Sequence, residues 1–414
     1  MAGNITGNHR LSFAGCKYVC LVALLLVLSA CENGIIGSGD QPDPNPKPEP
    51  TKQGIAQKGP FEIGSNITIV TRPAPDFLPT ATDQVQTLDD IGSFEFEFKP
   101  DTLYDISVTG RHFSEITGEL SADPITLQST YYHDADSAPF VSVNILTHII
   151  HSRINYLIAN QGLHPRDATA QASQELLNDL TSVIFADHLS DYSFSNMSVY
   201  NLTDSDPNAN AILLFISAAF YQQSIMFDNS RTLAEMLTTL AADLEKDGKI
   251  NGINDPDSAL PPGKPPQNGQ VYLSSLDAAA RLLNPESISD NLSRHSLEKT
   301  GVALPVPDIN FLLDNDADGV RNDVDSDDDG DGIADSDDAN PYQFDIITAP
   351  QSFTTEQDTG VSISLEFNVP EDPASTLFPG YDNHPAHGVL SGEFPHFTYT
   401  PMRDSAASTV SNTK

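Results

Sequence analysis

The spacing of hydrophobic residues along the chain changes its period several times. From residue 54 to about residue 133, apolar and polar residues alternate, most clearly in 93–98 (SFEFEF) and also around 67–70, 103–108 and 125–127. Alternation with period two is typical of half-buried antiparallel strands. Clusters of Pro and Gly separate these short runs, so residues 54–134 are predicted to form a small β-sandwich.

The period changes to 3.6 beyond this point. Val143, Leu146, Ile150 and Ile154 form one apolar stripe, and similar stripes occur in 168–185, 209–227, 232–244 and 276–283. Stripes of this kind are typical of amphipathic helices that pack on one another. Residues 135–300 are therefore predicted to form a helical bundle.

The amino terminus carries a different signal. Arg10 and Lys17 precede an apolar run of 13 residues at 18–30. Such a run is too short to cross the ~30 Å hydrocarbon core of a bilayer and is typical of a signal peptide. Residues 1–30 are predicted to be removed.

The end of that run, Leu28-Ser29-Ala30-Cys31, resembles a bacterial lipobox. The resemblance implies that Cys31 becomes the lipid-modified first residue, which would hold the protein on a membrane. Glu32 follows the cysteine, which by resemblance to enterobacterial sorting favours the outer membrane, with the protein facing the periplasm or the cell surface. An ordinary signal peptide followed by a chance cysteine is the alternative. Residues 31–53, with Pro at every second position in QPDPNPKPEP, are predicted to form an extended tether.

Composition narrows the possible partners. The chain has 58 acidic and 20 basic residues and a formal net charge of −38. This balance excludes a basic surface that could neutralise nucleic-acid phosphates and favours divalent cations. All three cysteines lie within the first 31 residues, so neither a disulfide framework nor a cysteine-based zinc site is expected in the processed chain.

The acidic residues are concentrated in one segment. Twelve of the 58 fall in 314–338, where the pattern D-x-D-x-D-G-hydrophobic-x-[ND]-x-x-D occurs twice at an offset of 13, beginning at Asp314 and at Asp327. Alternate carboxylates in a curled loop converge on one point, and calcium takes six to eight hard oxygen ligands. Glycine at the sixth position permits the sharp turn, the apolar residue at the seventh offers a backbone carbonyl to the metal and its side chain to a core, and the acid at the twelfth closes the shell.

This segment resembles the thrombospondin type 3 repeat in a cysteine-free form, over residues 301–345. In that family the Asp positions and the carbonyl of the apolar position bind calcium. The resemblance therefore implicates these residues as ligands: Asp314, Asp316, Asp318, Val320, Asp325, Asp327, Asp329, Asp331, Ile333 and Asp338. Two like charges ~5 Å apart repel by about 0.8 kcal/mol in water, so the segment is expected to be expanded without cations and ordered with calcium. The alternative is a solvated acidic spacer that attracts cations only diffusely.

Two other segments have weaker resemblances. The run AQKGPFEIGSNITIV at 56–70 resembles the first strands of carboxypeptidase regulatory-like domains, which implies strand geometry and no chemistry. Residues 346–414 resemble bacterial cadherin-like or immunoglobulin-like domains, through 388–392 and 397–401. The match to the last strand of that family is partial, and the sequence leaves open whether the domain is complete.

The predicted fold class is therefore multidomain α+β, and the predicted protein is a calcium-binding bacterial surface lipoprotein that acts in adhesion or matrix binding. Its expected partners are a membrane, through the lipid on Cys31, and an unidentified protein or glycan, but no nucleic acid. No catalytic motif occurs, and His148 and His151 lack a third metal ligand nearby, so an enzyme is not predicted. Two alternatives stay open: a hydrolase or carbohydrate-active enzyme with its site in the helical region, and a substrate-binding lipoprotein.

Overall fold

The computed structural model describes residues 53–134, 140–181, 194–202, 206–226, 232–252 and 268–345, with the short stretches 352–356, 359–364, 388–393, 396–401 and 409–411. The predicted signal peptide, Cys31 and nearly all of the tether lie outside these residues. In the described part the protein is of mixed α+β class, with several small sheets and seven α-helices.

Between residues 53 and 144, seven strands are described, and they form two sheets. Their bounds are β1 Gln53–Gln57, β2 Asn66–Pro73, β3 Ala81–Gln86, β4 Ser93–Glu95, β5 Thr102–Gly110, β6 Ile125–His133 and β7 Phe140–Asn144. An antiparallel sheet has the order β3-β2-β5-β6, and a smaller sheet has the order β4-β1-β7. In the smaller sheet β7 pairs with β1 in parallel.

Two of these strands differ from the sequence prediction. The alternating run 93–98 is a strand only as far as Glu95, and beyond it the rings of Phe96 and Phe98 lie 5.1 Å apart and pack on Tyr104. Val143, predicted to begin the first helical stripe, lies in β7 instead. The strand is favoured because its backbone pairs with β1 over five residues, which a helix could not do.

The larger sheet has one apolar and one polar face, because successive side chains of a strand point to opposite sides. The register aligns Ile67 with Val108 and Val108 with Leu127, all buried. The opposite face carries two cross-strand rows, Thr68–Ser107–Gln128 and Val70–Asp105–Thr130.

The helices are α1 Ile145–Gln161, α2 Pro165–Leu180, α3 Pro207–Met226, α4 Leu233–Asp247, α5 Asn268–Ser274, α6 Leu276–Ala280 and α7 Pro285–Thr300. Asn144 and Thr147 form a reciprocal capping box at the start of α1, which fixes where the chain changes from strand to helix. α7 was not predicted as a separate helix, because few of its side chains, chiefly Ile288 and Leu292, are both apolar and buried.

One hydrophobic cluster contains side chains from both of these sheets and from all the long helices. α3 lies in this cluster and is buried along most of its length. Among the described residues, α3 is the one helix long and apolar enough to cross a membrane by length and composition, and 72% of its most apolar 18-residue window is buried inside the protein. Burial in the core accounts for its composition.

The first turn of α1 closes the edge of the larger sheet at Gln128. The hydroxyl of Thr147 donates to the Gln128 carbonyl at 3.2 Å, and the Gln128 N–H donates to Nδ1 of His148 at 3.2 Å. These bonds satisfy backbone groups that an edge strand leaves unpaired. They also place one side of α1 beside the polar face of the sheet.

In the stretches described after the acidic segment there are five short strands: β8 Ser352–Thr354, β9 Val361–Ser364, β10 Gly388–Glu393, β11 His396–Pro401 and β12 Thr409–Ser411. β10, β11 and β9 form one antiparallel sheet, and β12 pairs with β8. Ile363, Phe397 and Tyr399 form a small separate hydrophobic cluster.

Candidate metal centre

The acidic segment begins directly after a buried anchor. A 3₁₀ turn spans Asn310–Leu312, and Leu312 and Leu313 are buried in the main core. Two loops follow, defined here as loop 1 (residues 314–325) and loop 2 (residues 327–338). The anchor fixes the start of loop 1 relative to the helices.

The backbones of the two loops match at the positions that have a positive φ. At the fourth position Ala317 has φ 67° and Gly330 has φ 66°, and at the sixth position Gly319 and Gly332 both have φ 91°. A φ near 90° is strained for any residue with a Cβ, which explains glycine at the sixth position of both copies. The repeat seen in the sequence is therefore a repeat in three dimensions.

The hydrogen bonds repeat at the same offset of 13. The first carboxylate of each loop accepts from the N–H of the sixth residue, at 3.2 Å from Gly319 to Asp314 and at 3.0 Å from Gly332 to Asp327. The carboxylate at the third position accepts from the N–H of the residue at the fifth position in both loops, at 3.0 Å and 3.1 Å. The carboxylate at the fifth position accepts from the N–H of the residue at the seventh position, at 2.7 Å in both loops. Each carboxylate is thereby held in one orientation by a backbone group.

Three carboxylates converge in each loop. One oxygen from each of Asp314, Asp316 and Asp318 lies within 4.8 Å of the others, and the same holds for Asp327, Asp329 and Asp331. Each of these triplets could hold a metal ion, because hard divalent cations are bound by carboxylate oxygens.

The acid at the twelfth position acts electrostatically on the acid at the third. Asp325 is close enough to Asp316 to raise its pKa, and Asp338 has the same effect on Asp329. Asp325 and Asp338 do not belong to the groups of oxygens that lie within 4.8 Å of one another, so their part as fourth ligands stays a prediction.

Several carboxylate oxygens of the loops are buried and have no hydrogen-bond partner among the described residues. In the first position of both loops the free atom is Oδ1, of Asp314 and of Asp327. Asp329 and Asp338 leave Oδ2 free in the same way. A buried anionic oxygen without a partner carries a large desolvation cost, which a bound cation would offset.

The ionisation of the carboxylates reflects this environment. Burial, followed by the neighbouring carboxylates, raises the pKa of Asp316 to about 6 and that of Asp329 to about 7. The backbone N–H bonds act in the opposite direction. The loops therefore concentrate negative charge where solvent screens it poorly.

The residues at the second position have roles that the sequence pattern did not indicate. In loop 1, Asn315 donates to the carbonyls of Leu283 and Tyr342, at 3.1 Å and 3.2 Å, and so ties the loop to the α6–α7 turn. In loop 2, Asp328 is 5% exposed, and burial together with neighbouring acids from both loops raises its pKa to about 7. The only sequence signal for Asp328 is the run of three aspartates at 327–329.

The seventh position departs in part from the prediction. Val320 was expected to direct its side chain into a core, but it is 39% exposed and does not belong to a hydrophobic cluster. Ile333 is half-buried and likewise lies outside both clusters. These side chains are not held in a core, because the loops fold around their own carboxylates.

The two loops also contact each other. A Cβ on Gly330 would lie 2.7 Å from a carboxylate oxygen of Asp316, so loop 2 approaches loop 1 at this point. The Asp345 N–H donates to Asp331 at 3.0 Å and connects loop 2 to the chain that follows.

Comparisons of the chain with known protein families, with curated proteins and with solved structures found no match.

Proposed function

We propose that the protein is a calcium-binding surface lipoprotein that acts in adhesion or matrix binding, in which calcium converts loops 1 and 2 into a rigid joint. The observation that carries the calcium assignment is the matched set of carboxylates in the two loops, with buried oxygens that lack partners. A diffuse acidic spacer would have no reason to repeat the same φ values and hydrogen bonds at one offset.

Calcium is favoured over magnesium by the composition of the loops. Each loop brings together three carboxylates, and the acid at the twelfth position, Asp325 or Asp338, and the seventh carbonyl, of Val320 or Ile333, are candidate further ligands. Calcium accepts six to eight oxygen ligands in a flexible arrangement, whereas magnesium prefers a rigid octahedron and retains several waters. Three converging carboxylates with further oxygen donors in the same loop suit the larger ion.

The position of the loops supports a role in joining parts of the molecule. Leu312 and Leu313 anchor their start in the main core, Asn315 ties them to the α6–α7 turn, and the short strands β8–β12 follow. Calcium bound by both loops would remove the mutual repulsion of the carboxylates and hold this connection in one conformation.

Several finer assignments belong to the same proposal. They are a β-sandwich for residues 54–134, a helical domain for 135–300, an immunoglobulin-like domain for 346–414 and a lipid anchor at Cys31 on the outer membrane. Mass spectrometry of the mature amino terminus tests the anchor, since an acylated Cys31 is expected.

The calcium assignment is tested by calorimetric titration of the full chain with calcium. We compare Asp329→Asn, at the centre of loop 2, with Asp337→Asn, an exposed acid of the same segment that belongs to neither triplet. Both variants remove one negative charge. Loss of a charged ligand is worth ~1.5–3 kcal/mol, so Asp329→Asn should weaken one class of sites at least tenfold, and Asp337→Asn should leave binding nearly unchanged.

Equal effects of the two variants would contradict the proposal, since a polyanion responds to total charge and not to position. Calcium binding that disappears in a moderate excess of sodium would have the same meaning.

A further inference from the structure

A polar cleft lies between the larger sheet and α1, far along the sequence from the acidic loops. Its volume is about 540 Å³, within the range of small-molecule sites. The sheet supplies the floor through the polar rows of β2, β5 and β6, and α1 supplies one wall through His151, Ser152, Asn155 and Tyr156. Glu245, near the end of α4, lies at the rim.

One row of the floor is already bonded internally. Asp105 accepts from Arg72 at 2.9 Å and from Thr130 at 3.0 Å, and Asn155 donates to Thr130 at 2.9 Å. Arg72 also donates to Asn155 at 2.6 Å. This network joins the sheet to α1 and neutralises Asp105, so it gives the cleft a rigid base.

The neighbouring row is half-buried and not bonded. Thr68, Ser107 and Gln128 are aligned across three adjacent strands, and among the described residues their side chains have no hydrogen-bond partner. The Glu245 carboxylate and the Tyr156 hydroxyl, which also line the cleft, have none within the same part of the chain. Polar groups in a concave, partly dry site that make no bonds within the protein are available to a ligand.

The wall of the cleft at His151 is uncharged. Nδ1 of His151 lies 2.6 Å from the His148 carbonyl and therefore carries the proton, which leaves Nε2 to accept from the Ser152 hydroxyl at 3.2 Å. Burial lowers the pKa of His151, opposed by the carbonyl bond and by Asp105 and Glu245. The ring thus stays neutral at physiological pH.

We infer that this cleft binds an uncharged, polyhydroxylated small molecule the size of one or two sugar rings. The hydroxyl and amide groups of Thr68, Ser107 and Gln128 can both donate to and accept from ligand hydroxyls. The Glu245 carboxylate can accept from them. Neither Lys nor Arg is among the residues that line the cleft, and the nearby Arg72 is already paired with Asp105, so an anionic ligand has no free counter-charge there. This site is independent of calcium binding by the loops.

The test uses saturation-transfer difference NMR on the full chain with glucose, N-acetylglucosamine, maltose, cellobiose and lactose, and with glucuronate as the anionic counterpart. We expect at least one neutral sugar to bind and glucuronate not to bind. Ser107→Val, which keeps the strand but removes the central hydroxyl, and Glu245→Gln should each raise the Kd of that sugar about tenfold. Thr126→Val, on the same face as Gln128 but outside the cleft, is the matched control and should leave Kd unchanged.

Three outcomes would overturn the inference: no signal from any neutral sugar, stronger binding of glucuronate, or binding that both cleft variants retain at wild-type strength. Should Ser107→Val fail to fold, Glu245→Gln decides alone, because Glu245 is only half-buried and its side chain holds no described element in place. Calcium affinity measured on the same variants is expected to be unchanged, which separates this test from that of the proposed function.

Discussion

His148 shows how a single buried side chain makes the fold sensitive to acid. It is 5% exposed and accepts the Gln128 N–H through Nδ1, a bond that protonation of this nitrogen abolishes. Burial, assisted by His151, lowers the pKa of His148 to about 3 from a usual value of 6.5. The stability that this neutral ring contributes is therefore complete above pH 6.5 and is lost as the pH falls from 6.5 towards 3.

We predict that His148→Gln, which keeps an acceptor for the Gln128 N–H, removes this acid sensitivity. The shift in pKa corresponds to about 2 kcal/mol at pH 5. Between pH 7 and pH 5 the wild-type chain should therefore lose about 2 kcal/mol more of its unfolding free energy than the variant. Urea denaturation at saturating calcium measures the unfolding free energy of the wild type and of the variant at each pH. The difference between the two proteins should be constant from pH 7 to pH 8, and a constant difference down to pH 5 would refute the assignment.

The sequence contained much of the metal centre but little of the cleft. The spacing of Asp314, Asp316 and Asp318 predicts convergence, because alternate side chains and a glycine turn leave the loop few other conformations. Thr68, Ser107 and Gln128, in contrast, are ordinary outward positions of strands. Alternation with period two predicts which face of a sheet a side chain occupies. It does not predict which helix packs on that face.

At the scale of elements, a buried ion pair joins β1 to the helices. Lys58, directly after β1, donates from Nζ to Glu115 at 2.6 Å, and both side chains are fully buried. Ser217 of α3 donates to the Lys58 carbonyl and lies 3.0 Å from the same Glu115 oxygen. Gly59 follows Lys58, and a Cβ there would overlap the carbonyl oxygen of Phe113. The Lys-Gly pair is therefore required by packing, although the sequence shows only a turn.

We predict that Lys58→Met alone costs about 3–5 kcal/mol of unfolding free energy, because Glu115 remains buried without its counter-charge. The double variant Lys58→Met/Glu115→Leu should recover most of that loss, since an apolar pair of similar volume leaves no buried charge. Denaturant titrations of the wild type, both single variants and the double variant provide the coupling energy. Additive losses in the double variant would show that the pair acts only through packing.

Prediction of the elements was best where the hydrophobic period is long and regular. α1, α3 and α4 lie close to their predicted positions because their apolar residues recur over several turns. β7 was missed because Val141 and Val143 fit a strand and a helix equally well in so short a run. Its pairing with β1, 87 residues earlier, is a long-range contact that local pattern cannot contain.

At the scale of the whole molecule, the strands and the helices share one hydrophobic cluster, and the metal loops are anchored to it. A ligand that binds only the folded state stabilises everything that unfolds together with its site. Calcium at the loops is therefore expected to stabilise the helices as well, although no helix contributes a carboxylate to either triplet.

We predict that calcium at a hundredfold excess over its Kd stabilises the helical core by about 2.7 kcal/mol per site, relative to the same chain in chelator. Thermal unfolding followed by far-UV circular dichroism, which reports the helices, measures this. Asp329→Asn should reduce the increase in Tm, and Asp337→Asn should not. If the Tm of the helices does not change with calcium, the loops unfold independently of the helices.

The closure of β6 by Thr147 and His148 also bears on how copies of the chain meet. A sheet is extended when a strand pairs with an edge whose backbone N–H and C=O groups are free. At Gln128 both groups are already hydrogen-bonded to side chains of α1. The other edge of that sheet is β3, an exposed strand that carries Asp83 and two glutamines. A second copy that added a strand at the β3 edge of this sheet would therefore bring the Asp83 charges of the two copies together, which opposes that contact.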